Sequence, residues 1–353
     1  MIVFYIVLAI LLFGVLILVH EFGHFITAKL FGVQVNEFSL FMGPAIWKKQ
    51  IGETLYSLRC IPIGGYCAME GEDSSSENPR AFTNAKVWKR FLILIAGSVM
   101  NLLIGLLLTL IFVAVRFDAI PDTQITGFEP TCPYQSEEGL QVGDRFYSID
   151  GERIYVLNDF YIMTDILSKD NVYDIVVIRD GEKVELNNFE MKKLDYNGDY
   201  RYGFQLEYRE KTVGSVLDYT WNQFLDYANQ IRISVKMIVA GDAGVKDLSG
   251  PVGIVDTVTQ VAAQSETVRL GVLNVLYIFA MIAVNLAIVN LLPIPALDGG
   301  RAVCLLVTAV AEKILRRKIN PKYEGYLHGA FMVLLLLFMA IITVKDVFQF
   351  FGG

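Results

Sequence analysis

Residues 2–24, IVFYIVLAILLFGVLILVHEFGH, are the stretch on which the reading of this chain turns. Eighteen uncharged residues (2–19) run directly into His20-Glu21-Phe22-Gly23-His24. In a helix, positions i and i+4 share a face, so His20 and His24 can converge on one metal ion. Glu21, one residue after the first histidine, is placed to touch a water bound to that metal. This is the H-E-x-x-H arrangement, in which two imidazoles bind zinc and the glutamate serves as general base. The chain has 3 histidines, and two of them fall here. Three ionisable groups in an apolar segment are expensive unless paired or ligated. The expectation is a site with His20 and His24 as metal ligands and Glu21 as the catalytic base.

Composition says where such a site sits. Hydrophobic residues make up 54% of the 353-residue chain and charged residues 19%, with a mean hydropathy of +0.46. Both are shifted from a soluble globular average. The shift is concentrated in four uncharged runs, 2–19, 91–115, 271–297 and 329–344. Each is long enough to cross a hydrocarbon core of about 30 Å, the last when counted from Tyr326. The first run lacks a basic flank and a small-residue cleavage site, so it is expected to be a retained membrane helix rather than a secretory leader. Cys60, Cys67, Cys132 and Cys304 show no C-x-x-C spacing, which indicates neither a disulfide framework nor a cysteine zinc site.

The net charge is −7, and its distribution sets the expected orientation. Lys48, Lys49, Arg59, Arg80, Lys86, Lys89 and Arg90 lie between the first two runs. Lys313, Arg316, Arg317, Lys318 and Lys322 follow the third, and the long segment between the second and third is acidic. Basic residues in short loops mark the cytoplasmic side, so both termini and the acidic segment are expected outside. The basic clusters read as topology signals and lipid-headgroup contacts, and nothing points to nucleic acid. At 1.5 Å per residue, His20 lies about 27 Å along the first helix, near the cytoplasmic edge of the bilayer.

The remaining segments follow in order. Residues 33–38 and 54–59 read as short strands, broken by Gly43-Pro44 and by Pro62 with Gly64-Gly65, forming β-structure that dips in beside the site. An edge strand there can hold an unwound substrate by β-augmentation. In the second run, Gly97 permits close helix packing and Asn101 is expected to hydrogen-bond to a neighbouring helix. Between the second and third runs, alternating strands surround two Asp-Gly turns and a helix at 158–167. That inserted region resembles a PDZ domain, above all in its G-L-x-x-G-D segment, Gly139 to Gly151. Residues 212–240 form an amphipathic helix, and 248–254 a turn rich in helix breakers. The third run ends in Asn290-Leu291-Leu292-Pro293-Ile294-Pro295-Ala296-Leu297-Asp298-Gly299-Gly300, where prolines and glycines interrupt the helix. Running inward, it delivers Asp298 to the depth of His20 and His24. Two histidines and a carboxylate supply three protein ligands and leave a fourth position for water, as a catalytic zinc site requires. His328 reads as an interfacial residue.

Taken together, His20-Glu21-x-x-His24, the Asn290-x-x-Pro293-x-Pro295-x-Leu297-Asp298-Gly299 segment and the PDZ-like insertion resemble the site-2 protease family. The likeness is to its bacterial regulator-of-sigma-E type intramembrane zinc metalloproteases. Gly43-Pro44, residues 61–66 and 248–254 support the match. The resemblance implies a metalloendopeptidase with one zinc ion per chain. It implies cleavage within transmembrane helices already trimmed by another protease, such as anti-sigma factors or signal-peptide remnants. It also implies that the β-hairpin receives substrate and that Asn285 and Asn290 help bind it. Ser98 stands where proline is expected and Phe41 where glycine is common, and one PDZ-like domain is present where some relatives carry two.

The expected fold is a polytopic α-helical membrane protein with four transmembrane helices, a membrane-associated β-hairpin or sheet and one inserted PDZ-like α+β domain. Its parts are a first transmembrane helix (1–31), a cytoplasmic-side β-hairpin region and loop (32–87) and a second transmembrane helix (88–116). A PDZ-like extracytoplasmic domain (122–210) is followed by an amphipathic helix and connecting loop (211–268). The third transmembrane helix (269–303), a cytoplasmic loop (304–324) and the fourth transmembrane helix (325–353) complete it. The expected location is the bacterial plasma membrane. Two other readings use the same features. A non-proteolytic membrane scaffold would bind peptides through the PDZ-like domain. A metal transporter would need a polar path across the bilayer, and charges within the spans occur only near His20 and Asp298.

Overall fold

The apolar run and the histidine motif form one unbroken helix, α1 (Ile2–Leu30). Two long, bent strands follow, β1 (Val35–Ile51) and β2 (Thr54–Met69), and then helix α2 (Val87–Arg116). The computed structural model describes residues 2–72, 76–167, 170–241, 244, 250–316 and 322–352. It divides into two units, Met1–Leu108 with Ser234–Gly353, and Thr109–Ile233. Residues 248–249 of the breaker-rich turn and the basic residues Arg317 and Lys318 lie outside the described residues.

β1 and β2 are long because each folds over on itself. Leu40 pairs with both Gly65 and Leu58, and Trp47 pairs with Leu58. The pairing therefore makes four runs in the order 45–51, 54–59, 35–42 and 61–69. The fold of β1 occurs at left-handed backbone positions, Phe41 (φ 68°) and Gly43 (φ 84°). That conformation costs a residue with a Cβ about 1–2 kcal/mol, which explains why glycine suits position 41. Phe41 compensates by setting its ring against Gly14 of α1, 3.4 Å from where a Cβ would stand. Glu37, in the central run, accepts hydrogen bonds from Arg59 (2.8 Å) and Ser57 (2.7 Å). Residues 61–69 have one strand partner among the described residues, so their other edge is open.

The second unit carries β3 (Ala119–Phe128), β4 (Arg145–Ile149), β5 (Glu152–Arg153), helix α3 (Leu157–Tyr161), β6 (Val172–Arg179) and β7 (Glu182–Glu190). The hairpin β8 (Leu194–Tyr196) and β9 (Asp199–Arg201), strand β10 (Phe204–Glu210) and helix α4 (Val213–Ala240) follow. The sheet order is β10-β3-β4-β6-β7, with β5 on β4. Asp150-Gly151 and Asp180-Gly181 each place two consecutive residues at positive φ, the type I′ geometry that two-residue hairpins favour. Asp144 is fully buried and takes Nε and Nη2 of Arg179 at 2.7 and 2.8 Å, which fastens the 139–151 segment to β6. The first part of α4 buries Val216, Tyr219 and Tyr227 within this unit. Its Asp226 meets Asp159 of α3, and both carboxyls are buried.

Returning to the first unit, α5 (Pro251–Ala263), α6 (Val268–Leu291), α7 (Asp298–Leu315) and α8 (Lys322–Gly352) complete the chain. Part of the 211–268 connection is thus helical. Pro251 opens α5 because the first helical position needs no N–H, and Asp346 of α8 caps it, accepting from Gly250 and Gly253. The expected third helix, 269–303, is two helices separated by a turn. Pro293 and Pro295 cannot donate to a helix ladder, and Ala296 adopts a left-handed backbone (φ 82°). The region expected as loop from 304 is helical to Leu315. It is held by Ala302 and Leu305, which pack with Ala28, Val33, Phe82 and Ile93.

Tyr5, Ala9, Val258, Ala262, Val275, Phe279 and Ala283 join α1, α5 and α6 through small residues that let helices approach closely. α1, α2, α6 and α8 each contain a span long and apolar enough to cross a membrane, with mean hydropathy of 3.3, 2.5, 2.4 and 2.5. Between 11% and 39% of each span is buried, so most of their apolar surface faces outward, as lipid contact requires.

Candidate metal centre

α1 places His20 and His24 one turn apart, and the first residue of α7 brings Asp298 against them. His20 Nε2 and His24 Nε2 are 3.3 Å apart, and Asp298 Oδ2 lies 3.2 and 3.3 Å from them. A tetrahedral zinc with bonds of about 2.0 Å has ligand–ligand edges of about 3.3 Å. The three sides of this triangle match that edge.

The hydrogen bonds behind the triangle identify its atoms as lone pairs. His24 Nδ1 is 2.8 Å from Ile93 O, so Nδ1–H donates to the carbonyl and Nε2 is left without a proton. His20 Nδ1 faces the Asn101 amide, 3.3 Å from Nδ2, while Asn101 Oδ1 is buried without a partner among the described residues. A half-turn of the amide brings Oδ1 to His20 Nδ1–H. This satisfies the oxygen and leaves Nε2 of His20 unprotonated too. Asp298 Oδ2 is likewise buried without a hydrogen-bond donor among the described residues. Three acceptors facing one another need a cation between them, and an imidazole–imidazole–carboxylate set suits zinc.

Two glycines let α2 close on this cluster. A Cβ on Gly23, the fourth of the motif's five residues, would lie 2.4 Å from Ala96 O, so α1 and α2 touch through backbone there. A Cβ on Gly97 would lie 2.3 Å from His24 Nε2 and 2.8 Å from His20 Cε1. The 61–69 run of β2 closes the other side, since a Cβ on Gly65 would stand 3.1 Å from Glu21 Cγ. A cavity of about 850 Å³ lies over the cluster, with Glu21, Cys67, Arg301 and His328 in its wall. Arg301, one turn along α7, forms an ion pair with Glu72 just beyond β2.

The sequence model for Peptidase family M50 matches residues 8–338. The chain belongs to peptidase family M50. A Clostridium perfringens protein provisionally named a zinc metalloprotease is 35% identical over 346 residues, covering 97% of this chain and 98% of its own. A Fusobacterium nucleatum protein of the same provisional name is 33% identical, covering 98% and 99%. The zinc metalloprotease RasP of Bacillus licheniformis is 27% identical and covers 97% and 98%. That alignment runs over 425 positions, more than the 353 residues of this chain, so RasP carries insertions relative to it. This M50 member is a metalloendopeptidase.

The structure thus brings His20, Glu21, His24 and Asp298 to one cavity. Asn285 and Asn290 lie on α6, and neither is among the residues lining that cavity. Asn285 Oδ1 is buried without a partner among the described residues. Sequence reasoning missed His328, whose Nδ1 accepts the N–H of Ala296 at 3.0 Å. Its signal was present, because it is the third of the chain's 3 histidines and adjoins an apolar run.

Proposed function

We propose that this M50 peptidase cleaves peptide bonds within transmembrane helices, with zinc held by His20, His24 and Asp298 and Glu21 as general base. The observation that carries the reading is the convergence of all three donor atoms on a helix whose apolar span includes the two histidines. Bound there, zinc supplies a Lewis acid for the scissile carbonyl and makes water acidic enough to deprotonate near neutral pH. Glu21 takes that proton and returns it to the leaving amine.

A helical substrate hides its carbonyls in its own hydrogen bonds, so it must unwind before it reacts. The open edge of 61–69, which passes Glu21 at Gly65, offers substitute backbone partners. Asn285 and Asn290 are assigned to substrate binding on the family resemblance. Residues 122–210 are read as PDZ-like, and either bind substrate peptide or exclude bulky chains. The substrates are transmembrane segments shortened by a prior protease, of the anti-sigma-factor or signal-peptide-remnant kind. The orientation follows the basic loops, with the termini and inserted domain outside a bacterial plasma membrane and the site near its cytoplasmic face.

Glu21→Gln tests the mechanism. The variant keeps stoichiometric zinc and loses cleavage of a model transmembrane substrate in reconstituted bilayers. Wild-type turnover by Glu21→Gln sinks the assignment of the base. A wild-type chain that binds peptide but no zinc would instead favour the scaffold.

A further inference from the structure

Residues 292–297 carry the chain from α6 to Asp298, and all but one of the N–H groups in this turn are satisfied locally. Leu292 N–H donates to Val289 O (3.0 Å), Ile294 N–H to Leu292 O (2.7 Å) and Leu297 N–H to Ile294 O (3.1 Å). Pro293 and Pro295 have no N–H to place. The remaining donor, Ala296 N–H, reaches out of the turn to His328 Nδ1 on α8 at 3.0 Å. Ala296 is also the residue held in the left-handed region, at φ 82°.

We propose that His328 is a positioning residue for the metal centre. By accepting the Ala296 N–H it holds the turn that presents Asp298 to His20 and His24. The inference rests on the zinc reading given above. The other side of the turn is already fixed. A Cβ on Gly299 would lie 2.2 Å from Leu291 O, and one on Gly300 2.1 Å from Ile294 O, so the turn sits directly on the first residues of α7. A shift at Ala296 therefore passes through two peptide units to the Asp298 carboxylate. Histidine suits the task because its neutral ring offers an acceptor at Nδ1 on a short, stiff side chain. His328 is 8% exposed, so its ring is held in place against the turn. It acts through Asp298 and takes no part in the proton transfers.

The test compares full-length wild type, His328→Phe and His328→Asn in nanodiscs, by zinc competition against a chelator and by kcat and KM on a model transmembrane substrate. Phenylalanine fills the space without an acceptor, and asparagine restores an acceptor at similar reach. His328→Phe is expected to bind zinc about 10–100-fold more weakly, the usual effect of losing a group that orients a ligand. Its kcat falls at limiting zinc, its KM is unchanged, and saturating zinc restores activity. His328→Asn recovers the affinity. A His328→Phe chain that binds zinc as tightly as wild type overturns the proposal. Should that variant fail to fold, His328→Asn decides alone, with near-wild-type affinity supporting the role and a loss of tenfold or more overturning it. A wild-type chain without stoichiometric zinc defeats the metal reading itself, a distinct result.

Discussion

Gly97→Ala separates folding from metal binding more sharply than replacing a ligand does. Helix α2 gains from the change, because alanine in a helix interior is about 1 kcal/mol better than glycine. The added methyl has nowhere to go. It would stand 2.3 Å from His24 Nε2, 2.8 Å from His24 Cε1 and 2.8 Å from His20 Cε1, where ordinary contact begins at 3.4 Å. Relieving the shortest contact moves the imidazole by about 1 Å, several times the tolerance of about 0.2 Å on a metal–ligand distance. Overpacking of this size costs about 1–3 kcal/mol, which the helix gain partly offsets, so the chain remains folded. The expected result is a monodisperse protein with near-wild-type thermal stability, zinc binding weakened at least 100-fold and no cleavage. Gly105→Ala on the same helix is the control. Its methyl would meet Val284 Cγ2 at 2.8 Å, away from the metal donors, so it strains packing and leaves zinc affinity intact. Wild-type zinc affinity in Gly97→Ala would refute the inference that α2 lies directly on the histidine pair.

Two further outcomes follow from the hydrogen bonds. Asn101→Ala removes the acceptor for His20 Nδ1–H and is expected to weaken zinc about 10–100-fold, while Asn101→Asp keeps an acceptor there and binds zinc more tightly than the alanine variant. Equal affinities in the two variants would show that the amide does not orient the ring. In the second unit, burial first, then the hydrogen bond and charge of Asp159, push the Asp226 carboxyl up from 3.8 to about 9. The unfolded chain releases that proton near pH 4 and the folded chain only near pH 9, so this pair's contribution to stability is full below about pH 4 and is lost as pH rises towards 9. Asp226→Asn is expected to flatten the fall in melting temperature between pH 5 and 9, and an unchanged slope would mean the two carboxyls do not share a proton.

What the sequence disclosed was chemistry with a period. His20 and His24 are four residues apart, which is enough to put them on one helix face, and a long uncharged run is enough to make a span. Asp298 was reachable by counting residues across the bilayer. The supports of the site have no such period. Gly23 and Gly97 look like ordinary small residues in apolar helices, and only the crossing of α1 and α2 shows that one admits a backbone and the other two imidazoles. Helix α7 was hidden because the third helix was expected to run on past the prolines to 303 and a basic loop to begin at 304, although Ala302 and Leu305 give α7 a buried face. His328 was read only as an interfacial residue for a different reason. Its partner is a main-chain N–H 32 residues earlier, and backbone donors leave no mark in a side-chain pattern.

The two short glycine pairs divide the work of the site. Gly299 and Gly300 let the turn after α6 fold against α7, so that Asp298 arrives with its carboxylate already aimed at the histidines. Gly65 lets β2 come up to the site. A side chain there would meet Ile17 Cγ2, Ser39 O and Glu21 Cγ at 3.0–3.1 Å, so glycine lets this strand lie against Glu21. On the proposed reading, a peptide paired along 61–69 would present its carbonyls beside Glu21 and near the three donors. Unwinding the substrate and aligning it for attack would then be one event, because the hydrogen bonds that replace its helix are the same ones that set its register.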